Sequence, residues 1–281
     1  MRLSDYETLQ LQKIEQWIHT LDNEQIVLSD FVQIYDKWLE KIFTSFPDTQ
    51  KEQIFKSIDQ ILLYIQVFLQ ETEHIQQMSE KILQQARIWD PDLQEIPDLK
   101  NLPLEKLQYL AGREINLHRM YSFMQGGLSG TGNTFLLTID IPAIVWVNLR
   151  AIQAIALSYG FPVQYPQELL TVLKIFHCST LPRRFHPSGW QELMETVKKQ
   201  KLNNYDFNER ITDLRWVNTI LLQIIKILLI RLFRNNVEKR ASFISLAIGA
   251  GSNYKLTKQV TEWADRFYQY RYLLEKKEAG E

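Results

Sequence analysis

Four polar residues of this chain are candidates for chemistry: Glu114, Asp140, Asn253 and Arg271. Asp140 is the one acid in an apolar stretch, where a carboxyl group has a raised pKa or a cationic partner. Glu114 and His118 are four residues apart, so they would share one helical face and offer half of a metal or acid–base site. If the four candidates converged on one accessible pocket, the protein would be a helical enzyme acting on a lipid or a peptide.

Each candidate also has an architectural interpretation. Asp140 fits the N-cap of a helix that begins at the next residue, because Pro142 is tolerated in a first helical turn. Asn253 is likewise suited to cap the last helix, and Arg271 is suited to pair with a carboxylate inside the protein. We favour these interpretations, so the sequence predicts no catalytic residue.

Established metal, nucleophile and cofactor patterns do not match this chain. The five histidines include no second carboxylate–histidine pair, so no metal site is predicted. His177 and Cys178 are adjacent, and neighbouring helical residues point about 100° apart, which favours a packed cysteine over a nucleophile pair. The glycine-rich stretch 126–133 lacks both the Lys-Ser/Thr of a phosphate-binding loop and the third glycine of a dinucleotide site. No cofactor is therefore predicted.

Glycine clusters at two places in the chain. Four of the ten glycines fall within seven residues, and a smaller cluster follows near residue 250. Since glycine disfavours helix interiors and permits close backbone approach, we expect both clusters to join closely packed helices at one place. The clustered glycines are Gly126, Gly127, Gly130, Gly132, Gly249 and Gly251.

The chain is predicted to be helical nearly throughout. Ser4 with Glu7, and Thr49 with Glu52, have the spacing of a capping box before apolar residues three and four apart. Further helices are expected over residues 104–125, 140–158, 166–180, 187–201, 213–234 and 254–277. The sequence thus predicts an all-α multi-helix bundle with two glycine-rich helix–helix joints.

Three prolines mark the predicted domain boundary. They stand at positions 91, 97 and 103, where a helix cannot propagate. We therefore expect an amino-terminal helical region over residues 1–90, a linker over 91–103, and a helical core over 104–281.

Charge is distributed unevenly although the formal net charge is −1. Residues 1–173 hold 13 Lys/Arg and 22 Asp/Glu, net −9, whereas residues 174–281 hold 19 and 11, net +8. The basic half would suit an anionic surface or the acidic half of the same chain. Because the basic residues form no recognisable nucleic-acid-binding motif, we expect no nucleic-acid partner.

Two apolar stretches invite a membrane interpretation, over residues 135–161 and 216–233. Charged and amide residues interrupt both, so neither offers the roughly 20 apolar residues that a membrane span needs. The first residues form a charged helix instead of an apolar export segment, which favours the cytoplasm. We expect a cytoplasmic protein, peripheral to the membrane at most.

The predicted helix 213–234 is the candidate for contact with a membrane or a partner. It is apolar over more than half its circumference and ends in basic residues, which suits the anionic cytoplasmic face of a membrane. The alternative is a central core helix whose basic end reaches solvent. The contact candidates are Arg231, Phe233, Arg234, Lys239 and Arg240.

A set of short motifs resembles the signature of the EcsC family over about residues 105–275. The central motifs are Arg113-Glu114, Gly126-x-x-x-Gly130-x-Gly132, Asp140-Ile141-Pro142, Ile152-x-x-Ile155-Ala156 and Tyr159-Gly160-Phe161. The closing motifs are Ile248-Gly249-Ala250-Gly251-x-Asn253-Tyr254, Ala264 and Tyr270-Arg271.

This resemblance implies an all-helical bacterial protein encoded beside an ABC exporter. The exporter's ATPase and membrane subunits would be its partners, and secretion and regulated proteolysis the processes it affects. We therefore expect a non-enzymatic accessory protein at the cytoplasmic face of the membrane. The alternative is a helical enzyme or lipid-binding protein with a site where the two glycine motifs meet.

Overall fold

A computed structural model of the chain describes residues 3–21, 72–129, 134–202 and 244–280, together with positions 33, 34, 37, 40, 41, 44 and 48. Its α-helices are α1 (Asp5–Leu21), α2 (Thr72–Ala86), α3 (Leu104–Ser129), α4 (Thr134–Ser158), α5 (Pro166–Thr180), α6 (His186–Leu202) and α7 (Ile244–Glu278). Short 3-10 helices occupy Ile96–Asn101 and Arg183–Phe185. No β-strand occurs in these ranges, so the all-α prediction is confirmed.

The predicted capping box at the start of α1 is present. The Ser4 backbone N–H donates to the Glu7 carboxylate at 2.9 Å, and the Glu7 N–H donates to the Ser4 hydroxyl at 3.1 Å. These two bonds satisfy backbone donors that the first helical turn leaves without a partner. Local sequence therefore determines where α1 begins.

Helices α3, α4 and α7 form the centre of the fold. Helix α7 lies against α3, α4 and α5, while α1 and α2 cover the outside. Each central helix buries apolar residues at three- and four-residue spacing, which is the pattern of a helix packed on a core. Among them are Leu104, Leu107, Leu110, Leu149, Ile152, Ala156, Val260, Ala264 and Phe267.

The predicted linker 91–103 is part of this core. It forms no α-helix, in line with its prolines, but its 3-10 helix buries Ile96 and Leu99, and the flanking Leu93 and Leu102 are buried as well. Its apolar residues are spaced about three apart, so a 3-10 helix turns them all to one side. The segment connects helices by packing between them.

The structure corrects both predicted helix caps. Helix α4 begins at Thr134 and α7 at Ile244, so the backbone at Asp140 and at Asn253 is helix interior in each case. In α7 the buried residues Asn253, Leu256 and Val260 follow helical spacing. Burial of this face outweighs the local preference of glycine against a helix, which is about 1 kcal/mol per residue.

The described glycines of the two clusters lie within helices, and the predicted helix–helix joints stay a prediction. The backbone of Gly126 and Gly127 belongs to α3, and that of Gly249 and Gly251 belongs to α7. A Cβ added to Gly251 would meet nothing within 4 Å, so helix packing does not require glycine at that position. Gly130 and Gly132 lie outside the described residues.

Several other predictions also fall outside the described part of the chain. These are the capping box at Thr49 and Glu52, the helix 213–234, and the contact candidates Arg231, Phe233, Arg234, Lys239 and Arg240.

Candidate functional site

Glu114 forms a buried ion pair. One of its carboxylate oxygens lies 2.7 Å from the Lys81 Nζ, which ties α3 to α2, and its side chain is 3% exposed. One turn later, His118 Nδ1 lies 2.8 Å from the Glu114 carbonyl oxygen. Burial lowers the pKa of His118, although that carbonyl and the Glu114 carboxylate offset part of the effect. Glu114 thus joins two helices.

Asn253 is buried on α7 near the contact between α7 and α3. One turn later, the Thr257 hydroxyl donates to the Ser122 hydroxyl of α3 at 2.7 Å. Farther along, Arg119 Nε donates to the Thr261 hydroxyl at 2.9 Å. A polar seam therefore joins α3 and α7 in antiparallel register. The side chain of Asp140 lies outside the described residues.

Arg271 pairs with a carboxylate inside the protein, which confirms the architectural interpretation. Its Nη1 lies 2.7 Å from the Glu168 carboxylate of α5, and its Nε lies 3.2 Å from Glu275 on the next turn. The Tyr268 hydroxyl donates to the other oxygen of Glu168 at 2.8 Å. Both oxygens of Glu168 are therefore hydrogen-bonded, as a buried carboxylate requires.

The ring of Phe161 lies close to two cations. The Arg271 guanidinium carbon lies 4.2 Å from the ring centroid, and the Lys100 Nζ lies 4.0 Å from it. Lys100 also pairs with Glu275 at 2.7 Å. Both cations are within the range of a cation–π interaction, so the ring adds to the ion pairs. We call Lys100, Phe161, Glu168, Tyr268, Arg271 and Glu275 the Phe161 clamp.

Gly160 allows the chain to turn at the end of α4 and to pass close to Lys100. It ends α4 with a φ of 81°, the left-handed conformation that favours glycine. The Gly160 N–H donates to the Leu157 carbonyl and the Phe161 N–H to the Ala156 carbonyl, both at 3.0 Å, which is a Schellman motif. A Cβ on Gly160 would lie 2.7 Å from the Lys100 Cγ. Glycine therefore serves both the turn and the close approach of the 3-10 helix.

The electrostatics of the clamp favour a fixed charge arrangement. Burial by itself lowers the pKa of Arg271, but the charges of Glu168 and Glu275 outweigh it and the net pKa is raised. Burial, together with the Glu168 charge, raises the pKa of Tyr268 well above its ordinary value. The clamp thus holds a charged guanidinium and a neutral phenol at neutral pH, and it joins the 3-10 helix, α4, α5 and α7.

Glu114, Asn253 and Arg271, the candidates whose side chains are described, do not meet in one pocket. Asn253 and Arg271 are 18 residues apart on the continuous helix α7. At a rise of 1.5 Å per residue, they are about 27 Å apart along its axis. Glu114 meets α2, whereas Arg271 meets α5. The convergence that the enzyme hypothesis requires is therefore not found for the candidates whose side chains are described.

Cys178 is a packed cysteine, as predicted. Its thiol is buried and donates to the Gly189 carbonyl at 3.2 Å, and burial raises its pKa. Burial also lowers the pKa of His177 to about 4. Both shifts oppose a thiolate–imidazolium pair. Among the residues that the structure describes, no group of three or more His, Cys, Asp or Glu could hold a metal ion.

The sequence identified some residues of the Phe161 clamp and not others. Arg271 and the Tyr159-Gly160-Phe161 motif were expected to matter, whereas Lys100, Glu168 and Glu275 were not. The four-residue spacing of Arg271 and Glu275 was a usable signal for their pair. Contacts over 100 residues or more, such as Lys100 with Glu275, leave no such trace.

A family comparison gives this arrangement its context. A model of the EcsC protein family matches residues 8–273. The chain belongs to the EcsC protein family. This match begins within α1, so it extends well before the range of about 105–275 that the motifs indicated. Lys100 and the predicted amino-terminal region from residue 8 onward therefore fall within the matched range.

Two relatives of this EcsC-family chain come from Bacillus subtilis (strain 168). "Uncharacterized protein YdbA" is 23% identical over 169 residues, which covers 59% of this chain and 58% of YdbA. "Protein EcsC" is 24% identical over 184 residues, which covers 66% of this chain and 70% of that protein. The match to YdbA thus spans less than two thirds of YdbA. No solved structure matches the chain.

The amino-terminal helix is fastened to the rest of the family core. Lys276 of α7 pairs with the buried Glu7 of α1. Farther along α1, the Trp17 ring meets the rings of Trp190 and Trp263 edge to face, with centroids 5.2 and 5.5 Å away. The contacts of Trp17 join the start of the family match to α6 and α7, whereas Glu7 and Lys276 lie just outside the matched residues 8–273. The division into domains at residues 91–103 stays a prediction.

Proposed function

We propose that this EcsC-family protein is a non-enzymatic accessory protein of an ABC exporter. It associates with the exporter's ATPase and membrane subunits at the cytoplasmic face of the membrane and affects secretion. The observation that carries the proposal is the Phe161 clamp, in which motif residues Phe161 and Arg271 are bound within the fold.

The clamp supports this role because its charges are already neutralised. An arginine whose guanidinium is paired with two carboxylates has little capacity left to bind a substrate phosphate or carboxylate. Breaking such a pair would leave a buried charge behind, which costs several kcal/mol. The motif residues thus stabilise a rigid helical body, and its outer surfaces meet the partners.

Co-purification with the exporter tests the proposal. The full chain is tagged, expressed with the ATPase and membrane subunits, and captured after detergent extraction. We expect the subunits to be captured with the chain, and we expect secretion to fall when the chain is deleted. Capture without the subunits, together with normal secretion in the deletion strain, would contradict the proposal.

A second arm addresses catalysis. Asp140→Asn and Asn253→Ala alter the candidate polar groups near the glycine motifs, with Thr20→Ala on the outside of α1 as the control. For each variant that remains folded, we expect exporter capture and secretion equal to the wild type. A folded variant at Asp140 or Asn253 that still captures the exporter but supports no secretion would favour an enzyme.

A further inference from the structure

The exposed side of α3 changes from polar to apolar at Met120. Arg113 and Asn116 lie on that side in the preceding turns. From Met120 onward the exposed side chains are large and hydrophobic: Met120, Tyr121, Phe123 and Met124, which are 47–58% exposed. Isolated exposed hydrophobic residues are ordinary, but a contiguous group marks an interaction surface.

Helix α7 extends this surface. Tyr254 is 39% exposed, and its ring centroid lies 6.5 Å from that of Phe123, edge to face. The bond between Thr257 and Ser122 fixes the register of the two helices next to it. We call Met120, Tyr121, Phe123, Met124 and Tyr254 the apolar end, because it lies where α3 finishes and α7 is still near its beginning.

Three helix termini at this end are almost free of charge. No charged residue occurs in the last ten residues of α3, 120–129, or in the first nine of α7, 244–252. The first fourteen residues of α4, 134–147, contain one, Asp140. Four residues connect α3 to α4, so α4 begins where α3 finishes. These three termini therefore carry a single charged residue, Asp140.

On α3 and α7, the first charged residues beyond the apolar end are basic. They are Arg119 on α3, and Lys255 and Lys258 on α7, of which Lys255 and Lys258 are exposed. The first acid on this side of α7 is Glu262, one turn farther away. This order of apolar, then basic, then acidic residues matches the order of acyl chain, anionic headgroup and water at a bilayer surface.

We infer that the apolar end inserts into one leaflet of an anionic lipid bilayer. The inference rests on the proposed function, for which it names the lipid contact. Ten residues of helix are about 15 Å long, whereas the hydrocarbon core of a bilayer is about 30 Å thick. Insertion is therefore shallow, in agreement with the finding that none of the described helices is long and apolar enough to cross a membrane.

Lipid suits this surface better than a protein partner or a second copy does. The apolar end contains no charged group of its own that would fix the register of a docked protein. Tyrosine rings and flexible methionine side chains adapt to a fluid interface, where no fixed complementarity is required. The nearest charged residues on α3 and α7, Arg119 and Lys255, are basic, which suits an anionic surface.

Vesicle flotation with the full chain tests the inference. Vesicles of phosphatidylcholine with phosphatidylglycerol are compared with vesicles of phosphatidylcholine alone. The test variant carries Met120→Ser, Phe123→Ser and Met124→Ser. The matched control carries Leu9→Ser, Ile88→Ser and Tyr165→Ser, three exposed hydrophobic residues on other elements. Circular dichroism and thermal unfolding verify that each variant is folded.

We expect the wild type and the control to float with the anionic vesicles. The test variant lacks three hydrophobic side chains that the bilayer would bury, so its partition into the vesicles should be lower by about tenfold or more. Lys255→Glu with Lys258→Glu should weaken binding to anionic vesicles and leave the weaker binding to phosphatidylcholine unchanged. The inference is overturned if the wild type does not float, or if the test variant floats as well as the control.

A site-specific probe gives an independent reading. Cys178 is buried, so a cysteine introduced by Met124→Cys can be labelled selectively with a polarity-sensitive fluorophore. We expect its emission to shift to the blue on addition of anionic vesicles, whereas the same label at Ile88→Cys should not shift. Equal behaviour of the two labels would contradict insertion at the apolar end.

Other partners of the apolar end would give different experimental results. A dimer in lipid-free solution that the test variant dissociates would identify a second copy as the occupant and overturn the inference. Exporter capture in detergent that the test variant abolishes, without vesicle binding by the wild type, would identify a protein partner and also overturn it. That last outcome would support the proposed function, so the two proposals fail separately.

Discussion

Arg271 and Glu168, which are 103 residues apart in sequence, form an ion pair of 2.7 Å between α7 and α5. Their side chains are 16% and 8% exposed, so little water reaches the pair. The hydroxyl of Tyr268 and the ring of Phe161 complete the surroundings. Arg271, a motif residue and a candidate for chemistry, thus joins α7 to α5.

We predict that Arg271→Met lowers the free energy of unfolding by about 3 kcal/mol, because it leaves Glu168 buried without its cation. Urea unfolding measures the change. The double variant Glu168→Gln with Arg271→Met should lose less than the sum of the two single losses, since no lone charge remains. Lys258→Met, which removes an exposed ion pair, should cost less than about 1 kcal/mol. An equally small effect for Arg271→Met would show that the clamp is not a stabilising contact.

Gly160→Ala should destabilise the protein by about 1–3 kcal/mol. The alanine would have to adopt a positive φ, and its Cβ would displace Lys100. Gly112→Ala is the matched control, because Gly112 lies within α3 and an added Cβ would meet nothing within 4 Å. That control should stabilise the protein by about 0.5–1 kcal/mol, since alanine favours a helix. The same sign for both variants would contradict the proposed role of Gly160.

Stability should fall as the pH decreases from about 6.5 to about 4. Burial lowers the pKa of His177 to about 4 in the folded protein; the Glu192 charge opposes this shift and the Lys174 charge adds to it, both as smaller influences. The unfolded state therefore takes up the proton first, so the stabilisation is complete above pH 6.5 and is lost on the way to pH 4. The total change is about 3 kcal/mol.

Two variants test whether His177 causes this pH dependence of stability. His177→Gln should remove most of the slope of unfolding free energy against pH, while His19→Gln should not, because His19 is exposed. The lowered pKa of His118 adds a smaller effect of the same sign. A slope that survives in His177→Gln would mean that other groups carry the acid sensitivity.

Thr257→Val should cost about 1 kcal/mol, because it removes the donor that the Ser122 hydroxyl accepts in the buried seam. Adding Ser122→Ala should recover part of the loss, since both polar groups are then absent. Thermal unfolding of the two variants provides the comparison. If the double variant loses more stability than the two single variants together, the seam contributes through packing and not through this bond.

Helix type and several helix ends could be predicted because the signals are local. The Ser4 and Glu7 capping box, Pro166 at the start of α5 and Gly160 at the end of α4 each act within one turn. The interior positions of Asp140 and Asn253 could not be predicted in this way. Both lie in helices that extend past a local start signal, because burial along the whole helix outweighs the preference of one residue.

The Phe161 clamp and the apolar end could be found only once the fold was known. Lys100 and Glu168 reach Arg271 and Phe161 only after distant segments have packed, and single-sequence patterns hold no record of such contacts. The apolar end is similar, because Phe123 and Tyr254 become neighbours through the antiparallel pairing of α3 and α7. The sequence pointed instead to residues 213–234, which lie outside the described part of the chain.

Secretion at equal amounts of folded protein is the most direct test of the claim that the motif residues serve architecture. The double variant Glu168→Gln with Arg271→Met is expressed in a deletion strain, and secretion is divided by the amount of folded chain. We expect the wild-type ratio, because under the proposed function exporter association needs the fold and not the charges of the clamp. A folded double variant that supports no secretion would contradict it.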